Sequence, residues 1–188
     1  NPGNVGWESG RKNCGCDPAG ACLIICILFP SENMNKISVV IPTYNRPKQL
    51  ADVLDWLLKS DISGIEDVQI VIVDDGSASS YDRVLTEREI KSPFRPQLIR
   101  QQNAGPSAAR NNGLRHAENP VVLFIDDDIL VEPDMLKRHI EGHQRYPGSV
   151  IYGYSPYVKP EKETNAYRFL KQLIDVKAED RKDHFMLM

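Results

Sequence analysis

The sequence predicts an α/β domain built around a mainly parallel β-sheet. Short apolar segments rich in β-branched residues alternate with segments of helical periodicity, and the connections between them are short, which is typical of this fold class. Polar and charged motifs directly follow the predicted strands, and open α/β sheets bind their ligands at the carboxyl ends of the strands. The length of 188 residues corresponds to one ordinary domain.

The predicted strands are continuously apolar rather than alternating, as expected of strands that are covered on both faces. The first, KISVVIP, is the clearest, and the second, VQIVIVDDGS, ends in a turn. The third, PQLIRQ, is weaker. We predict strands at residues 36–42, 68–77, 96–101, 120–126 and 149–158.

The predicted helices separate these strands. The first places Leu50, Val53, Leu54, Leu57 and Leu58 on one face, which is the spacing of an amphipathic helix. Proline near the start of three of the helices suits the first turn, where no backbone donor is required. We predict helices at residues 46–60, 79–91, 105–118 and 133–146.

The composition is that of an ordinary globular protein, with 41% hydrophobic and 26% charged residues. The net charge of −3 gives no support for a general nucleic-acid binder, whose surface would be basic. A local site for an anionic ligand is still compatible with that charge. The longest apolar run, ACLIICILF at 21–29, has nine residues, whereas a membrane-spanning helix needs about 20. We therefore expect no transmembrane segment.

Residues 1–33 differ from the rest of the chain. They lack periodicity and contain all four cysteines, which are Cys14, Cys16, Cys22 and Cys26. The cysteine spacing matches no zinc-binding pattern, and the cysteine-free remainder fits a reducing compartment. We predict that residues 1–33 are an irregular extension outside the functional domain. That domain would cover residues 34–188 and lie in the cytoplasm, or at the inner face of the membrane.

Three adjacent carboxylates, Asp126, Asp127 and Asp128, follow the fourth predicted strand. Side chains alternate along an extended segment, so Asp126 and Asp128 can point the same way while Asp127 points elsewhere. Two such carboxylates form a hard-oxygen site suited to Mg²⁺ or Mn²⁺. The alternative is a solvated acidic turn that caps the next element. The position at the end of a buried strand favours the metal site.

A second acidic pair, Asp74 and Asp75, ends the second predicted strand. The following Gly76 permits a tight turn, and Ser77 can cap a helix. In a binding site, an aspartate here would accept hydrogen bonds from a base or from ribose hydroxyls. In the alternative interpretation, the pair forms an Asx turn that begins the next helix.

The segment NAGPSAARNNG, residues 103–113, adds positive charge. Its small residues let the backbone approach a ligand closely, and a helix N-terminus favours phosphate. Arg110 lies one turn into the predicted helix, where it could reach a diphosphate or stack on a base. The alternative is a small-residue face that packs on the sheet.

Two histidines, His139 and His143, lie four residues apart on the last predicted helix. This spacing would suit a metal pair, but HIEGH is not the H-E-x-x-H pattern of zinc enzymes. Gly142 also weakens the helix. We therefore predict an exposed polar face at these positions.

Four segments, SVVIPTYNRP, IVIVDDGS, NAGPSAARNNGL and VLFIDDDILVEPDML, together resemble the family-two, GT-A-fold glycosyltransferases in order and spacing, over residues 36–140. The resemblance implies a GT-A, Rossmann-like, mainly parallel sheet flanked by helices. It also implies a nucleotide-diphosphate-sugar donor, Mn²⁺ or Mg²⁺ as cofactor, and inverting transfer to a hydroxyl of a glycan, lipid or other acceptor, as in polysaccharide biosynthesis. It implies no nucleic-acid partner, and it leaves peripheral membrane association open.

By position, the resemblance implies roles for individual residues. The nucleotide-sugar would be bound by Pro42, Thr43, Tyr44, Arg46, Asp74, Asp75, Arg110, Asp126 and Asp127. Of these, Asp75 would contact the base, Arg110 the nucleotide or diphosphate, and Asp127 the ribose. Asp128, together with Asp126, would bind the metal ion.

An inverting transfer also needs a carboxylate that deprotonates the acceptor hydroxyl. Glu179 and Asp180, in KAEDRKD, lack the sequence context of that base, so no general base is identified. We expect the chain to be incomplete at its C-terminus, with most of the acceptor half missing. The alternatives are a truncated nucleotide-binding fragment without transferase activity, a sugar-phosphate nucleotidyltransferase and a response-regulator receiver. The last two fit less well, because neither a Gly-rich basic loop nor an acidic pair follows the first strand.

Overall fold

The computed structural model describes residues 24–28, 33–129 and 131–153. Within these ranges the elements are, in chain order, β1 (Ile24–Leu28), β2 (Lys36–Thr43), α1 (Pro47–Leu57), β3 (Asp67–Asp74), α2 (Asp82–Thr86), β4 (Phe94–Arg100), α3 (Pro106–His116), β5 (Val121–Phe124), α4 (Met135–Arg145) and β6 (Ile151–Gly153). The strands form one sheet in the order β4-β3-β2-β5-β1-β6.

Four of the strands, β4, β3, β2 and β5, run parallel to one another. β2 and β3 pair along their full lengths, from Lys36 opposite Asp67 to Thr43 opposite Asp74. Every residue after the first is buried in both strands, as the continuously apolar sequence predicts. The predicted α/β fold with a mainly parallel sheet is confirmed.

In the described ranges, β1 is the strand that runs antiparallel to its neighbours. It lies between β5 and β6, with Ile25 opposite Phe124 on one side and opposite Tyr152 on the other. A run rich in β-branched residues suits such a position. Residues 24–28 therefore belong to the sheet, and they differ from the irregular chain that we expected there. The domain boundary at residue 34 stays a prediction.

Helices cover both faces of the sheet. α1 buries Leu50, Val53, Leu54 and Leu57 against one face, as predicted. Leu58, which was expected on the same face, follows the last residue of the helix and is only partly buried. α3 covers the other face, and it approaches β2 so closely at Gly113 that a Cβ atom there would overlap the Val40 side chain. Since α3 follows β4, this close packing holds the N-terminus of α3 at the carboxyl edge of the sheet.

The prediction of an exposed polar face at His139 and His143 is wrong. Both side chains are buried, on the same face of α4 as Met135, Leu136 and Ile140. Burial and the nearby His143 lower the pKa of His139 to about 4, and burial also lowers the pKa of His143. The neutral rings take the place of apolar residues on the inward face of the helix. The prediction failed because it classed histidine as polar and therefore exposed.

Other predictions differ in extent or fall outside the described residues. The helix expected at 79–91 is reduced to α2, which ends at Thr86. Outside the described ranges lie Cys14, Cys16, Cys22, Glu179, Asp180 and the strand residues expected at 154–158. Among the helices that the structure describes, none has the length and apolarity needed to cross a bilayer.

Candidate functional site

A cavity of about 670 Å³ opens at the carboxyl edge of the parallel strands, where open α/β sheets bind ligands. The chain segments that follow β2, β3 and β5 and the beginning of α3 form its walls. The lining residues are Pro42, Thr43, Tyr44, Arg46, Asp75, Asn103, Gly105, Pro106, Ala109, Arg110, Asp126, Asp127 and Asp128. The structure thus brings together all the predicted site residues except Asp74.

Two arginines neutralise the acidic segment after β5. Arg46 places Nη1 3.1 Å from Asp127 Oδ1 and 2.9 Å from Asp128 Oδ2. Arg110, from α3, donates a hydrogen bond to Asp126 Oδ1. The charge of Asp127 is the main reason that the pKa of Arg46 lies above its usual value. Each carboxylate of the segment therefore has a cationic partner, which makes three adjacent acids tolerable at the end of an apolar strand.

The three aspartates differ in exposure. The side chains of Asp126, Asp127 and Asp128 are 22%, 6% and 42% exposed. Asp127 points inward, where Thr43 Oγ1 donates to its Oδ2 at 2.7 Å. Burial raises the pKa of Asp127, and the Thr43 hydrogen bond and the charge of Arg46 act in the opposite direction. Asp126 and Asp128 are the more exposed of the three.

The more exposed carboxylates have the donor chemistry of a Mg²⁺ or Mn²⁺ site. Within the described part of the chain, however, no three His, Cys, Asp or Glu side chains are grouped so that they could hold a metal ion. Mg²⁺ is usually bound by one or two carboxylates, with water and substrate phosphates completing the shell. Asp126 and Asp128 therefore fit an ion that is bound together with phosphate oxygens.

Asp75 connects the cavity wall to the loop before α3. Its Oδ1 accepts hydrogen bonds from Gln101 Nε2 at 2.7 Å and from the Ala104 amide at 2.9 Å. Its Oδ2 accepts from the Gly105 amide at 2.8 Å. A carboxylate offers about four acceptor positions, so Asp75 keeps capacity for one further donor from the cavity.

Asp74, in contrast, faces away from the cavity lining. It is buried, and its Oδ1 accepts a hydrogen bond from the Ser77 amide at 2.8 Å. Its Oδ2 lies 3.6 Å from Arg100 Nε on β4. Asp74 therefore shapes the turn after β3, as in the alternative interpretation of the acidic pair, but no helix begins at this turn, because α2 starts only at Asp82.

The beginning of α3 forms the wall opposite Arg46. Gly105 and Pro106 precede or open the helix, and Ala109 and Arg110 follow one turn later. Ala109 is fully buried against the sheet, so its small side chain allows the first turn to lie close to the strand ends. Backbone N–H groups at such a helix start favour an anionic ligand, and Arg110 adds a full positive charge.

Sequence reasoning missed Tyr81. This tyrosine is 1% exposed, and its hydroxyl lies 2.8 Å from the Arg46 backbone nitrogen and 3.2 Å from Thr43 Oγ1. The surrounding stretch SSYDRVLT was interpreted only as a helix. A lone aromatic residue after several serines was the available signal, because Tyr81 and Val84 are the residues of this stretch that the core buries.

A second cavity of about 610 Å³ lies at the opposite edge of the sheet. Its charged groups bind one another: Arg95 lies 2.6 and 2.7 Å from the Asp67 oxygens and 3.1 Å from Glu118. Asn119 also donates to Asp67 at 2.7 Å. This network fastens the loop before β5 to the sheet, which is a structural role.

Two curated relatives each match more than half of the chain. The poly(ribitol-phosphate) beta-N-acetylglucosaminyltransferase TarS of Staphylococcus aureus is 33% identical over 104 residues, which are 55% of this chain and 18% of that protein. The validoxylamine A glucosyltransferase of Streptomyces hygroscopicus is 33% identical over 127 residues, which are 64% of this chain and 29% of that enzyme. The chain thus spans less than a third of the length of these relatives.

A solved structure shares the fold. The crystal structure of S. aureus TarS superimposes with a TM-score of 0.54 at 27% identity, over 70% of this chain and 25% of TarS. TarS residues 1–349 in complex with UDP-GlcNAc gives a TM-score of 0.51 at 30% identity, over 59% of this chain and 32% of that one. The predicted GT-A fold is confirmed.

The family model for glycosyl transferase family 2 matches residues 38–185. The match begins in β2 and includes every residue that lines the cavity. It covers well over half of the sequence. The chain belongs to glycosyl transferase family 2.

Proposed function

We propose that this protein binds a nucleoside-diphosphate sugar and a divalent cation in the cavity at the carboxyl edge of the sheet, and transfers the sugar with inversion to an acceptor hydroxyl. One observation carries the proposal: Arg46, Arg110, Asp75 and the three aspartates after β5 line one cavity of about 670 Å³. That volume suits a ligand of nucleotide size. Family membership and the UDP-GlcNAc complex of TarS support it.

The base and the ribose would lie between β2 and β3. Pro42 and Tyr44 form the wall here, and Tyr44 is half exposed, so its ring is available to a ligand. Asp75 accepts hydrogen bonds and donates none when ionised, which favours bases with a ring N–H, such as uracil or guanine. The buried Asp127, next to Thr43, would contact the ribose.

The diphosphate would lie between α3 and the aspartates. Arg110 and the helix start supply positive charge on one side. Asp126 and Asp128 would hold Mg²⁺ or Mn²⁺ on the other side, where a bound cation neutralises the charge that develops on the departing nucleoside diphosphate. Arg46, at 50% exposure of its side chain, is long enough to serve the phosphates as well. We assign no general base among the described residues.

The first test is a calorimetric titration of the protein with UDP, GDP and dTDP, with and without Mn²⁺. We expect one of these nucleotides to bind more tightly when Mn²⁺ is present. In Asp128→Ala the increase in nucleotide affinity that Mn²⁺ causes should be smaller by about tenfold or more, because an ionised oxygen ligand of the metal is lost. Asp52→Ala, at an exposed position on α1, is the matched control and should behave like the wild type.

Two outcomes would contradict the proposal. If no nucleotide binds with help from Mn²⁺, the cavity is not a donor site. If Asp128→Ala retains the full effect of Mn²⁺, the assigned metal ligand is wrong. Nucleotide binding without transfer or hydrolysis of the matching sugar donor would favour the second candidate, a protein that binds the nucleotide without transferring the sugar.

A further inference from the structure

The Tyr81 hydroxyl does not line the cavity, but it joins three chain segments beside it. Its oxygen lies 2.8 Å from the backbone nitrogen of Arg46, 3.2 Å from Thr43 Oγ1 and 3.2 Å from Ser77 Oγ. These partners belong to the start of α1, the end of β2 and the turn after β3. The ring itself is buried in the hydrophobic core beside α1. A single hydroxyl therefore connects segments that are far apart in the sequence.

The number of protons fixes the direction of these hydrogen bonds. Thr43 Oγ1 is 2.7 Å from Asp127 Oδ2, and an ionised carboxylate can only accept, so Thr43 gives its proton to Asp127. The Tyr81 oxygen accepts from the Arg46 amide, and the remaining Tyr81 proton then points to Thr43. Ser77 Oγ accepts from the Asn45 amide at 2.8 Å and donates to Tyr81.

The result is a directed chain of hydroxyl groups, Ser77 to Tyr81 to Thr43 to Asp127. It ends on the carboxylate that Arg46 Nη1 contacts at 3.1 Å. Arg46 is held at both ends, by its backbone amide on Tyr81 and by its guanidinium on Asp127. Such connected, fully satisfied networks hold side chains in one arrangement more firmly than isolated pairs do.

We propose that Tyr81 is a positioning residue of the nucleotide-sugar cavity, whose hydroxyl fixes Thr43, Arg46 and Asp127 in the geometry that receives the nucleotide. The inference rests on the proposed function, because it assigns the purpose of the network to that site. Tyr81 touches no ligand in this scheme. It acts through the three residues that line the cavity.

The test is Tyr81→Phe, which removes the hydroxyl and keeps the buried ring. With the nucleotide that binds most tightly to the wild type in Mn²⁺, we expect Kd to rise about tenfold, the effect of losing a hydrogen bond that supports a charged group. The matched control is Tyr152→Phe, at an exposed tyrosine of β6, and its Kd should equal that of the wild type. If Tyr81 only stabilised the core, Tyr81→Phe would lower the thermal stability of the protein and leave Kd unchanged.

A double-mutant cycle tests the connection through Thr43. We expect Thr43→Val to weaken binding and Thr43→Ser, which keeps a hydroxyl, to restore most of it. Tyr81→Phe combined with Thr43→Val should be little weaker than Thr43→Val alone, since both changes interrupt one chain. Additive effects would overturn the proposal. The two Thr43 variants test the proposal even if Tyr81→Phe fails to fold. If Thr43→Val bound the nucleotide with the Kd of the wild type, the proposal would also be overturned.

A ligand-free measurement separates this inference from the proposed function. In Tyr81→Phe the Arg46 amide loses its acceptor, so its hydrogen exchange should accelerate more than that of amides in β2 and β3. Unchanged exchange together with unchanged Kd would overturn the inference while leaving the proposed function intact. A wild-type protein that binds no nucleotide would instead overturn the proposed function and, with it, the purpose assigned to Tyr81.

Discussion

Arg110 and Arg115 lie on the same helix, and only Arg110 borders the cavity. Arg115 is exposed and contacts Asn112 at 3.3 Å. We expect Arg110→Ala to weaken binding of the nucleoside diphosphate about tenfold or more, because a charged partner of the phosphates is lost and Asp126 is left without its counter-ion. Arg115→Ala, the matched control, should change the affinity little. Calorimetry with the same nucleotide measures both variants, and equal losses would contradict the assignment.

At the scale of residues, the sequence predicted which segments meet in the site and could not assign every side chain within them. Asp74 and Asp75 are chemically identical neighbours. Because side chains alternate along a strand, Asp74 points to the turn after β3 and Asp75 points to the cavity. Tyr81 was missed because a hydroxyl that joins three segments depends on tertiary contacts. The sequence placed the three aspartates together at a strand end, where they line the cavity, although their arginine partners become visible only in the fold.

At the scale of elements, α3 depends on Gly113 for its distance from the sheet. Any side chain at this position would overlap Val40 and come within 3.2 Å of Val73. We expect Gly113→Ala to lower the free energy of unfolding by about 1–3 kcal/mol, the usual cost of overpacking a core. The better helix propensity of alanine offsets only about 1 kcal/mol of this cost.

Urea unfolding of Gly113→Ala and of Asn111→Ala measures the effect. Asn111 is exposed on the same helix, so its replacement changes helix propensity without changing the packing on the sheet. A Gly113→Ala variant as stable as Asn111→Ala would show that the contact with β2 can relax. If α3 moves outward in Gly113→Ala, nucleotide affinity should fall as well, because the helix start and Arg110 move with it.

The elements of the parallel sheet were predictable because each has a local signal. Continuous apolar runs predict the buried strands, and Leu50 with its neighbours predicts α1. β1 also lies in a continuous apolar run, but the sequence around it lacks periodicity and its partners lie about a hundred residues further along the chain, so its place in the sheet was not predicted. α2 is shorter than predicted because only Val84 of this helix is buried, and exposed polar residues add little to hold further turns.

At the scale of the whole molecule, the buried histidines make stability depend on pH. Unfolded histidine has a pKa near 6.5, whereas that of folded His139 is about 4. Between these values the unfolded chain binds more protons, so the free energy of unfolding falls as the pH drops. The stability from His139 is fully present above pH 6.5 and is lost toward pH 4, a change on the order of 3 kcal/mol.

Urea unfolding at about pH 7.5 and about pH 5 tests this dependence. His139→Phe cannot titrate and fills a similar volume, so the difference in stability between the two pH values should shrink. His116→Gln is the control, because His116 is exposed on α3, and it should keep the wild-type difference. A pH dependence that is the same in all three proteins would show that His139 does not gain a proton on unfolding.

The position of β1 has a consequence for the order in which the molecule can assemble. During synthesis β1 leaves the ribosome before any other described strand, but its neighbours β5 and β6 are the last two of the described strands to be made. Until then a run of apolar, strand-forming residues has no native partner, and unpaired strands of this kind associate readily with other chains. The central strands β2 and β3 can pair long before β1 does. The nascent chain must therefore protect its first strand while the nucleotide cavity, which lies on the parallel part of the sheet, is already taking shape.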